Sequence, residues 1–252
     1  MKIFLSEAPA DYSTYTFPYA LYASMKAGDD LNEVYSRGFL PYSVPEYIPS
    51  DKILFYLARS IRIDLNAFTL SAENRRVRRK MQELNPVVKI KEKDEVPLER
   101  MWKLVKNYSK ERIGDAMPGS RLEYIYHFPF LNKIGVFSIE DKDIGYVWLI
   151  ENDNLRHYWF AFFETNYFSY GIGKWMMEQM ISHAVDENKK YVYLGTCYGE
   201  KALYKVRDFK GVEFFDGNQW NKDLAYLKEK CKTDRLRQKD DLKSFPDRFS
   251  VF

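Results

Sequence analysis

The order of segments in the C-terminal half constrains the fold more than any other feature of this sequence. Three β-rich segments follow one another at residues 135–139 (GVFSI), 145–150 (GYVWLI) and 156–163 (RHYWFAFF). Short polar turns separate them, which predicts antiparallel hairpins. The next segment, YGIGKWMMEQMISHAVDENKK, carries a wide apolar arc at helical spacing, and YVYLGT after it reads as another strand. A meander leading into a helix and then a strand is typical of an α+β fold.

Glycines mark both ends of the last helix–strand unit. Gly171 and Gly173 stand where the helix begins, so free backbone N–H groups and the positive end of the helix dipole would face an anion. Gly195 and Gly199 stand where the strand ends, and glycine there allows positive φ or a close approach of the backbone. Two bland alternatives remain open: the first pair permits tight strand-to-helix packing, and the second pair merely turns the chain.

Basic and phenolic side chains follow that strand end. Lys201, Tyr204 and Lys205 come directly after the Gly195–Gly199 turn. Their position at the exit of the strand suggests that they hold a ligand there. The alternative is that Tyr204 packs in the core and both lysines are solvated.

Composition restricts the class of protein. The chain of 252 residues is 46% hydrophobic and 17% aromatic, as a globular protein is, and its net charge is only +3. Binding to a polyanion therefore requires local clusters of basic residues. The two cysteines, Cys197 and Cys231, form neither a disulfide framework nor a four-ligand zinc site, which predicts a reducing compartment. The early apolar run is too short for a signal peptide and no segment approaches a membrane span, so we expect a soluble cytoplasmic protein without membrane contact.

The N-terminal half predicts a short helix at 31–37 and a strand with the half-buried alternation Ile61, Ile63, Leu65. Ser71 is placed to cap a helix running to about Leu84. The charged, proline-punctuated segment KIKEKDEVPLER then reads as a boundary or a long surface link. These features predict an N-terminal region at 1–92, a main domain at 93–222 and a charged, helical tail at 223–252.

Four arginines occupy one side of the helix that Ser71 caps. The apolar stripe of that helix is Val77, Met81 and Leu84, and the arginines lie opposite it. Such a face is either solvated or in contact with phosphates. The four residues are Arg75, Arg76, Arg78 and Arg79.

Taken in order, these motifs resemble the Gcn5-related N-acyltransferase (GNAT) core and, more closely, the aminoacyl-tRNA–protein transferases of the arginyl and leucyl type. The matching elements are Gly38-Phe39, Tyr47-Ile48-Pro49, SAENRRVRR, Ser169-Tyr170-Gly171, Tyr193-Leu194-Gly195, the stretch Lys201-Ala202-Leu203-Tyr204-Lys205, and Gly217 to Trp220. The resemblance runs from about residue 30 to 220. It departs from that family in one respect, because no cysteine precedes Cys197 and the family's N-terminal cysteine cluster is missing, so no metal is expected.

The resemblance implies a mixed, mainly antiparallel sheet with flanking helices, plus a smaller N-terminal α/β region. It implies transfer of an amino acid, Arg or Leu, from charged tRNA as co-substrate to an amine such as a protein or peptide N-terminus, with no other cofactor. The implied catalytic residues are Lys201, Tyr204 and Glu164, the last holding or deprotonating the incoming ammonium. The implied substrate-binding residues are Ser169, Gly171, Gly173, Gly195, Lys205 and Arg62. The implied tRNA contacts are Arg75, Arg76 and Arg79, and Arg62 and Arg207 are candidates for recognising an acidic acceptor residue.

Two other functions remain open on the sequence. One is an N-acyltransferase that uses acyl-CoA, whose pyrophosphate loop normally reads Gln/Arg-x-x-Gly-x-Gly/Ala, although Phe168 stands here at the first position. The other is a non-catalytic relative that binds tRNA or peptide. Cys197 follows a strand but has no histidine near it in sequence, so we interpret it as a small buried residue.

Overall fold

The computed structural model describes residues 1–7, 19–26, 28–43, 53–114 and 117–234. The predicted Tyr47-Ile48-Pro49 element and the tail from residue 235 onward lie outside these ranges. The N-terminal part forms a four-stranded antiparallel sheet in the order β1-β2-β4-β3. Its strands are β1 (Lys2–Glu7), β2 (Tyr19–Met25), β3 (Phe39–Pro41) and β4 (Ile53–Leu57), and helix α1 (Leu31–Ser36) follows β2.

A second, eight-stranded sheet forms the centre of the protein. Its order is β12-β11-β5-β10-β9-β8-β7-β6, antiparallel except for the β9–β10 pair. The strands are β5 (Ser60–Asp64), β6 (Val87–Glu92), β7 (Lys133–Ile139), β8 (Lys142–Glu151), β9 (Leu155–Phe163), β10 (Tyr191–Thr196), β11 (Val212–Phe215) and β12 (Trp220–Asn221). The predicted α+β class with a mainly antiparallel sheet is confirmed.

Helices cover both faces of this sheet and create two hydrophobic cores. The longer ones are α2 (Ala72–Gln82), α3 (Leu98–Arg112), α4 (Gly119–Tyr126), α5 (Ile172–Asp186) and α7 (Leu224–Thr233), and α6 (Tyr204–Arg207) is a single turn. Helices α3 and α4 pack with the N-terminal sheet in one core, whereas α2, α5 and α7 contribute to the other. Ser71 caps α2 as predicted, through a reciprocal capping box with Asn74.

The structure differs from the sequence-based reading of the N-terminal half in three respects. The segment read as a surface link begins instead with β6, the edge strand that pairs antiparallel with β7. Because β5 and β6 belong to the same sheet as the strands after residue 93, the division predicted at residue 92 does not separate two sheets. Strand β5 is also buried on both faces, because the Arg62 guanidinium pairs with buried Glu213 instead of facing solvent.

The two parallel strands separate part-way along their length, and this split positions the site. Strand β10 pairs with β9 from Tyr191 opposite Leu155 to Tyr193 opposite His157. Beyond that point β10 continues with β5, while β9 continues with β8. The β8–β9 register shifts between Trp148 and Leu149, so Trp159 is the extra residue of a bulge. The β9 backbone that follows His157 therefore has no strand partner on its β10 side.

Candidate active site

A cavity of about 530 Å³ opens where β9 and β10 separate. That volume lies within the range of about 300–1,000 Å³ that small-molecule sites occupy. Five elements contribute its walls, namely the end of α3, β9 beyond the split, the N-terminal part of α5, β10 and α6, and Phe168 adds to them from the turn before α5. The lining residues are Tyr108, Arg112, Tyr158, Trp159, Phe160, Ala161, Phe163, Phe168, Gly171, Ile172, Gly173, Lys174, Met177, Leu194, Tyr204 and Lys205.

The first turn of α5 supplies backbone donors to this cavity. Gly171 is the N-cap residue with φ +78°, a left-handed conformation that glycine adopts without strain, and no side chain caps the helix. The next N–H groups of the helix have no partner within it. A Cβ on Gly173 would come within 3.1 Å of the Phe163 ring, so a larger residue there would narrow the cavity.

Three phenols surround the cavity, namely those of Tyr108, Tyr158 and Tyr204. Burial raises the pKa of each of them above its ordinary value, and for Tyr158 the neighbouring phenols add to the rise. All three hydroxyls therefore keep their protons near neutral pH. They are present there as protonated hydrogen-bond donors, not as phenolates.

Among the described residues that line the cavity, no carboxylate accompanies the cationic groups. Lys174 is already matched, because its ammonium lies 3.0 Å from a Glu73 oxygen and 2.8 Å from an Asp208 oxygen. Within the described part of the chain, Lys205 and Arg112 take part in none of the ion pairs. The cavity thus presents donors and two unmatched positive charges, which suits an anionic or electron-rich ligand.

Lys205 reaches the strand end from α6. Its Nζ donates to the Thr196 carbonyl at 2.9 Å and lies 3.6 Å from the position that a Cβ on Gly195 would occupy. Burial lowers the pKa of Lys205, and the neighbouring Cys197 partly opposes this effect. Gly195 has φ +79°, a left-handed conformation that glycine adopts without strain, and a Cβ there would be at ordinary contact distance from the ammonium.

Comparison with known proteins identifies the family. The family model described as an acetyltransferase (GNAT) domain matches residues 71–210, which is more than half of the chain. The chain belongs to the GNAT domain family. Its boundaries agree with the structure, since the match begins at the cap of α2 and ends just before β11.

The solved structures that resemble this chain are distant from it in sequence. The C-terminal domain (DUF2156) of a lysylphosphatidylglycerol synthetase candidate from Agrobacterium fabrum is 12% identical, with a TM-score of 0.45 over 66% of this chain. The chain spans about half of that structure, 51% of its length. L-PGS from Bacillus licheniformis is 11% identical, with a TM-score of 0.46 over 84% of this chain and 71% of that one. FemX is 13% identical, with a TM-score of 0.42 over 71% of this chain and 63% of that one. A search of curated proteins found no match.

The cavity at the β9–β10 split contains some of the site residues that were expected from the sequence. Gly171, Gly173, Tyr204 and Lys205 all line it, and Gly195 contacts the Lys205 side chain. Two other expected residues, Ser169 and Lys201, are not part of the lining. Ser169 is exposed, and its carbonyl accepts a hydrogen bond of 2.7 Å from Lys80. Lys201 is exposed at the beginning of the short helix before α6 and is not part of the lining.

Glu164 lies in a different cavity from the other expected catalytic residues. It lines a second space of about 410 Å³ between α3 and the β7–β8 hairpin, where Lys142 Nζ lies 3.9 Å from its carboxylate. Its expected role at the incoming amine has no geometric support from the cavity at the split. Among the described residues, no cluster of three side chains could hold a metal ion.

The arginines expected to recognise an acidic acceptor are already matched. The Arg62 guanidinium lies 4.0 Å from the ring centroids of both Tyr191 and Trp220, and its Nε donates to Glu213 at 2.7 Å. Arg207 is exposed and pairs with Asp208. Arg62 therefore stabilises the sheet, and its donors are not turned toward a ligand.

The arginines of α2 differ from one another more than the sequence indicates. Arg78 pairs with buried Glu178 of α5, so it does not share the solvent-facing role expected of all four. Arg76 forms a bidentate pair with Glu73, and Arg75 donates to the Leu70 carbonyl. Arg79 is exposed and takes part in no ion pair of the described residues. Of the expected tRNA contacts, Arg79 keeps its charge most fully available.

Tyr108, Arg112, Tyr158 and Trp159 line the cavity but were not among the expected site residues. Local spacing gives no signal for them, because they meet α5 and α6 only through the tertiary fold. Cys197 is buried as interpreted, and burial raises the pKa of its thiol to about 12, which excludes a thiolate nucleophile near neutral pH. Among the described residues, no helix combines the length and apolar character needed to cross a bilayer.

Proposed function

We propose that this GNAT-domain protein transfers an aminoacyl group from charged tRNA to an amine. The observation that carries the proposal is the cavity at the β9–β10 split, where cations and hydrogen-bond donors converge and none of the described lining residues is a carboxylate. The reaction is attack of a neutral amine on an activated ester. It requires that the two reactants be held together and that charge on the ester oxygen be stabilised.

The arrangement fits an ester that enters from the α5 side. Lys205 and the phenol of Tyr204 lie beside the strand end, where the developing oxyanion would accept their hydrogen bonds. Each such donor contributes about 2.7–4 kcal/mol to the transition state in enzymes that use oxyanion holes. The unpaired backbone at the Trp159 bulge supplies a further set of donors on the same wall.

Aromatic walls favour a nucleoside next to that ester. Tyr108, Trp159, Phe160, Phe168 and Tyr204 line the cavity, and Phe168 and Tyr204 are both nearly half exposed. Stacking of one base on one aromatic ring contributes about 1–3 kcal/mol and does not depend on sequence. The terminal adenosine of a tRNA, which carries the aminoacyl ester, meets both requirements.

The finer part of the proposal is the arginyl or leucyl type of transfer to a protein N-terminus. It rests on the sequence elements shared with the aminoacyl-tRNA–protein transferases, several of which surround this cavity. An N-terminal amine has a pKa near 8, so a useful fraction is neutral at physiological pH without an enzymic base. Recognition of an acidic acceptor residue by Arg62 is not part of the proposal, because that side chain is already matched.

Transfer from acyl-CoA is the second candidate, favoured by the match to an acetyltransferase domain and by the Gly171–Gly173 turn. The pattern that binds the CoA pyrophosphate lacks its polar first residue here, which is Phe168. The two donors have different requirements, so one experiment separates them.

The test incubates the protein with a pool of radiolabelled aminoacyl-tRNAs and, in parallel, with labelled acetyl-CoA. Peptides with a free N-terminus serve as acceptors, and N-acetylated copies serve as controls. Transfer of one amino acid class to the free peptides supports the proposal. Transfer from acetyl-CoA alone refutes it in favour of the second candidate, and tight binding of charged tRNA without loss of its ester identifies a non-catalytic binder.

A further inference from the structure

The usual phosphate-loop pattern has a glutamine or arginine at the position that Phe168 occupies here. In this structure a cationic side chain from another element lies next to that position. The Arg112 guanidinium, at the end of α3, lies 4.8 Å from the centroid of the Phe168 ring. Both residues line the cavity beside the first turn of α5. The cation at this place therefore comes from helix α3 and not from the loop, and it lies next to an aromatic ring.

The Phe168 ring is well supported in that position. It meets Phe163 edge-on at 5.6 Å, and Phe163 in turn packs on Tyr108 at 4.8 Å and against Gly173. A guanidinium that lies against such a ring still presents N–H donors to a ligand at its edges. Arg112 is also near enough to the Tyr108 hydroxyl to oppose the rise in the pKa of that phenol.

The other cations near the loop are committed to protein groups. Lys80 donates to the Ser169 carbonyl at 2.7 Å and lies 5.2 Å from the Tyr170 ring centroid. Lys174 is held by the carboxylates of Glu73 and Asp208. Lys205 lies at the far end of the cavity, on the Thr196 carbonyl. Among the described residues, Arg112 is thus the guanidinium left to a ligand at the mouth.

We propose that Arg112, placed against the Phe168 ring, binds the phosphate next to the adenosine of the donor and thereby selects donors that carry a phosphate at this point. The inference rests on the proposed function, in which the aminoacyl ester reaches Lys205 while the 5′ side of the terminal adenosine stays at the mouth. A planar guanidinium matches two phosphate oxygens at once, whereas the ammonium of a lysine acts as a point charge. Both the tRNA end and CoA carry an adenosine with a phosphate, and a comparison of aminoacyl donors with acetyl-CoA distinguishes the two sources.

The test compares donors with and without that phosphate. Adenosine 5′-monophosphate and adenosine, each carrying the aminoacyl ester on its ribose, are minimal donors that differ only in the phosphate. For Arg112→Ala we expect KM for the phosphorylated donor to rise about 10- to 100-fold, as loss of a charge-assisted hydrogen-bond pair requires. For the unphosphorylated donor, KM should be unchanged. Arg112→Lys should recover part of the loss, and Phe168→Leu should give a smaller loss confined to the phosphorylated donor.

Lys110→Ala is the matched control, because Lys110 is exposed on the same helix and lies outside the cavity. An equal effect of Arg112→Ala on both donors, or no effect on either, overturns the inference. Calorimetric binding of AMP and adenosine gives a readout that needs no turnover. If wild type prefers AMP to adenosine and Arg112→Ala loses this preference, the inference is supported. If the protein in addition transfers no aminoacyl group from any donor, the proposed function is refuted and the phosphate-binding role of Arg112 stands. Acetyl-CoA turnover that depends on Arg112 assigns the phosphate to CoA and overturns the tRNA assignment.

Discussion

Replacing Lys205 by methionine separates catalysis from folding in this protein. The ammonium is fixed at 2.9 Å from the Thr196 carbonyl, beside the strand end where the proposed ester would lie. Two unit charges about 4 Å apart interact by about 4 kcal/mol at an effective dielectric constant near 20. Loss of that interaction corresponds to a fall in kcat/KM of roughly 10²- to 10³-fold.

The pH profile supplies a second, independent signature. Since burial lowers the pKa of Lys205, the ammonium loses its proton, and the rate should fall, at a pH below the ordinary lysine value. The acceptor amine acts in the opposite direction, because it becomes nucleophilic as pH rises through about 8. Wild type should therefore show a bell-shaped profile, and Lys205→Met should lose the alkaline limb together with most of the rate.

Stability is the control for this variant. The folded state disfavours the charged form of Lys205, so that charge costs stability at every pH below the lowered pKa and the cost disappears above the unfolded pKa. Methionine removes the cost and loses one hydrogen bond, of about 1 kcal/mol. We expect the melting temperature at pH 7 to be no lower than that of the wild type. Lys210→Met, on an exposed lysine five residues along, is the matched control for transfer assays.

The reasoning is refuted if Lys205→Met is folded and transfers within twofold of wild type, or if its slower reaction keeps the alkaline limb. Lys201→Met decides between the two lysines that the sequence offers. Its exposed position outside the cavity predicts a smaller loss than at Lys205.

Three further changes test the walls of the cavity and its approach. Gly173→Val would drive a side chain into the Phe163 ring, 3.1 Å from the new Cβ, so KM for the donor should rise at least tenfold with little change in acceptor KM. Arg79→Ala should flatten the salt dependence of tRNA binding by about one unit of slope, whereas Arg76→Ala should change it less because Glu73 already neutralises that charge; equal slopes for both would contradict this. Cys197→Ala should retain transfer, since its thiol has a pKa of about 12, and a complete loss in a folded variant would reopen thiol catalysis.

The local parts of this site could be predicted because local rules determine them. The glycine turn and the apolar arc of α5 are visible in one continuous stretch of sequence, and the hydrogen bond by which Ser71 caps α2 joins residues only three positions apart. Strand β6 was missed because it lies at the sheet edge, where lysines alternate with Val88 and Ile90 and resemble a solvated link.

The non-local parts could not be predicted for an equally physical reason. Arg62 looks like a ligand-binding cation until Glu213, 151 residues away, is brought beside it by the pairing of β11 with β5. Arg112 looks like one more solvated helix charge until the loop after β9 places Phe168 beneath it. In both cases the meaning of the charge depends on a partner that only tertiary structure supplies.

The described lining of the cavity, which includes no carboxylate, is sufficient for the chemistry proposed here, because the reaction conserves protons. The attacking amine enters neutral, forms a bond to the ester carbon and then carries one proton too many. The leaving ribose oxygen takes up one proton as its bond to that carbon breaks. Tyr204, whose raised pKa keeps its hydroxyl protonated, can give its proton to the leaving oxygen and recover one from the ammonium. A buried carboxylate at this point would attract the acceptor as an unreactive ammonium and would repel the phosphates of the donor. A lining of hydrogen-bond donors and cations thus favours aminolysis of an ester that is already activated when it binds. The rate then depends on how closely the cavity at the β9–β10 split holds the two reactants.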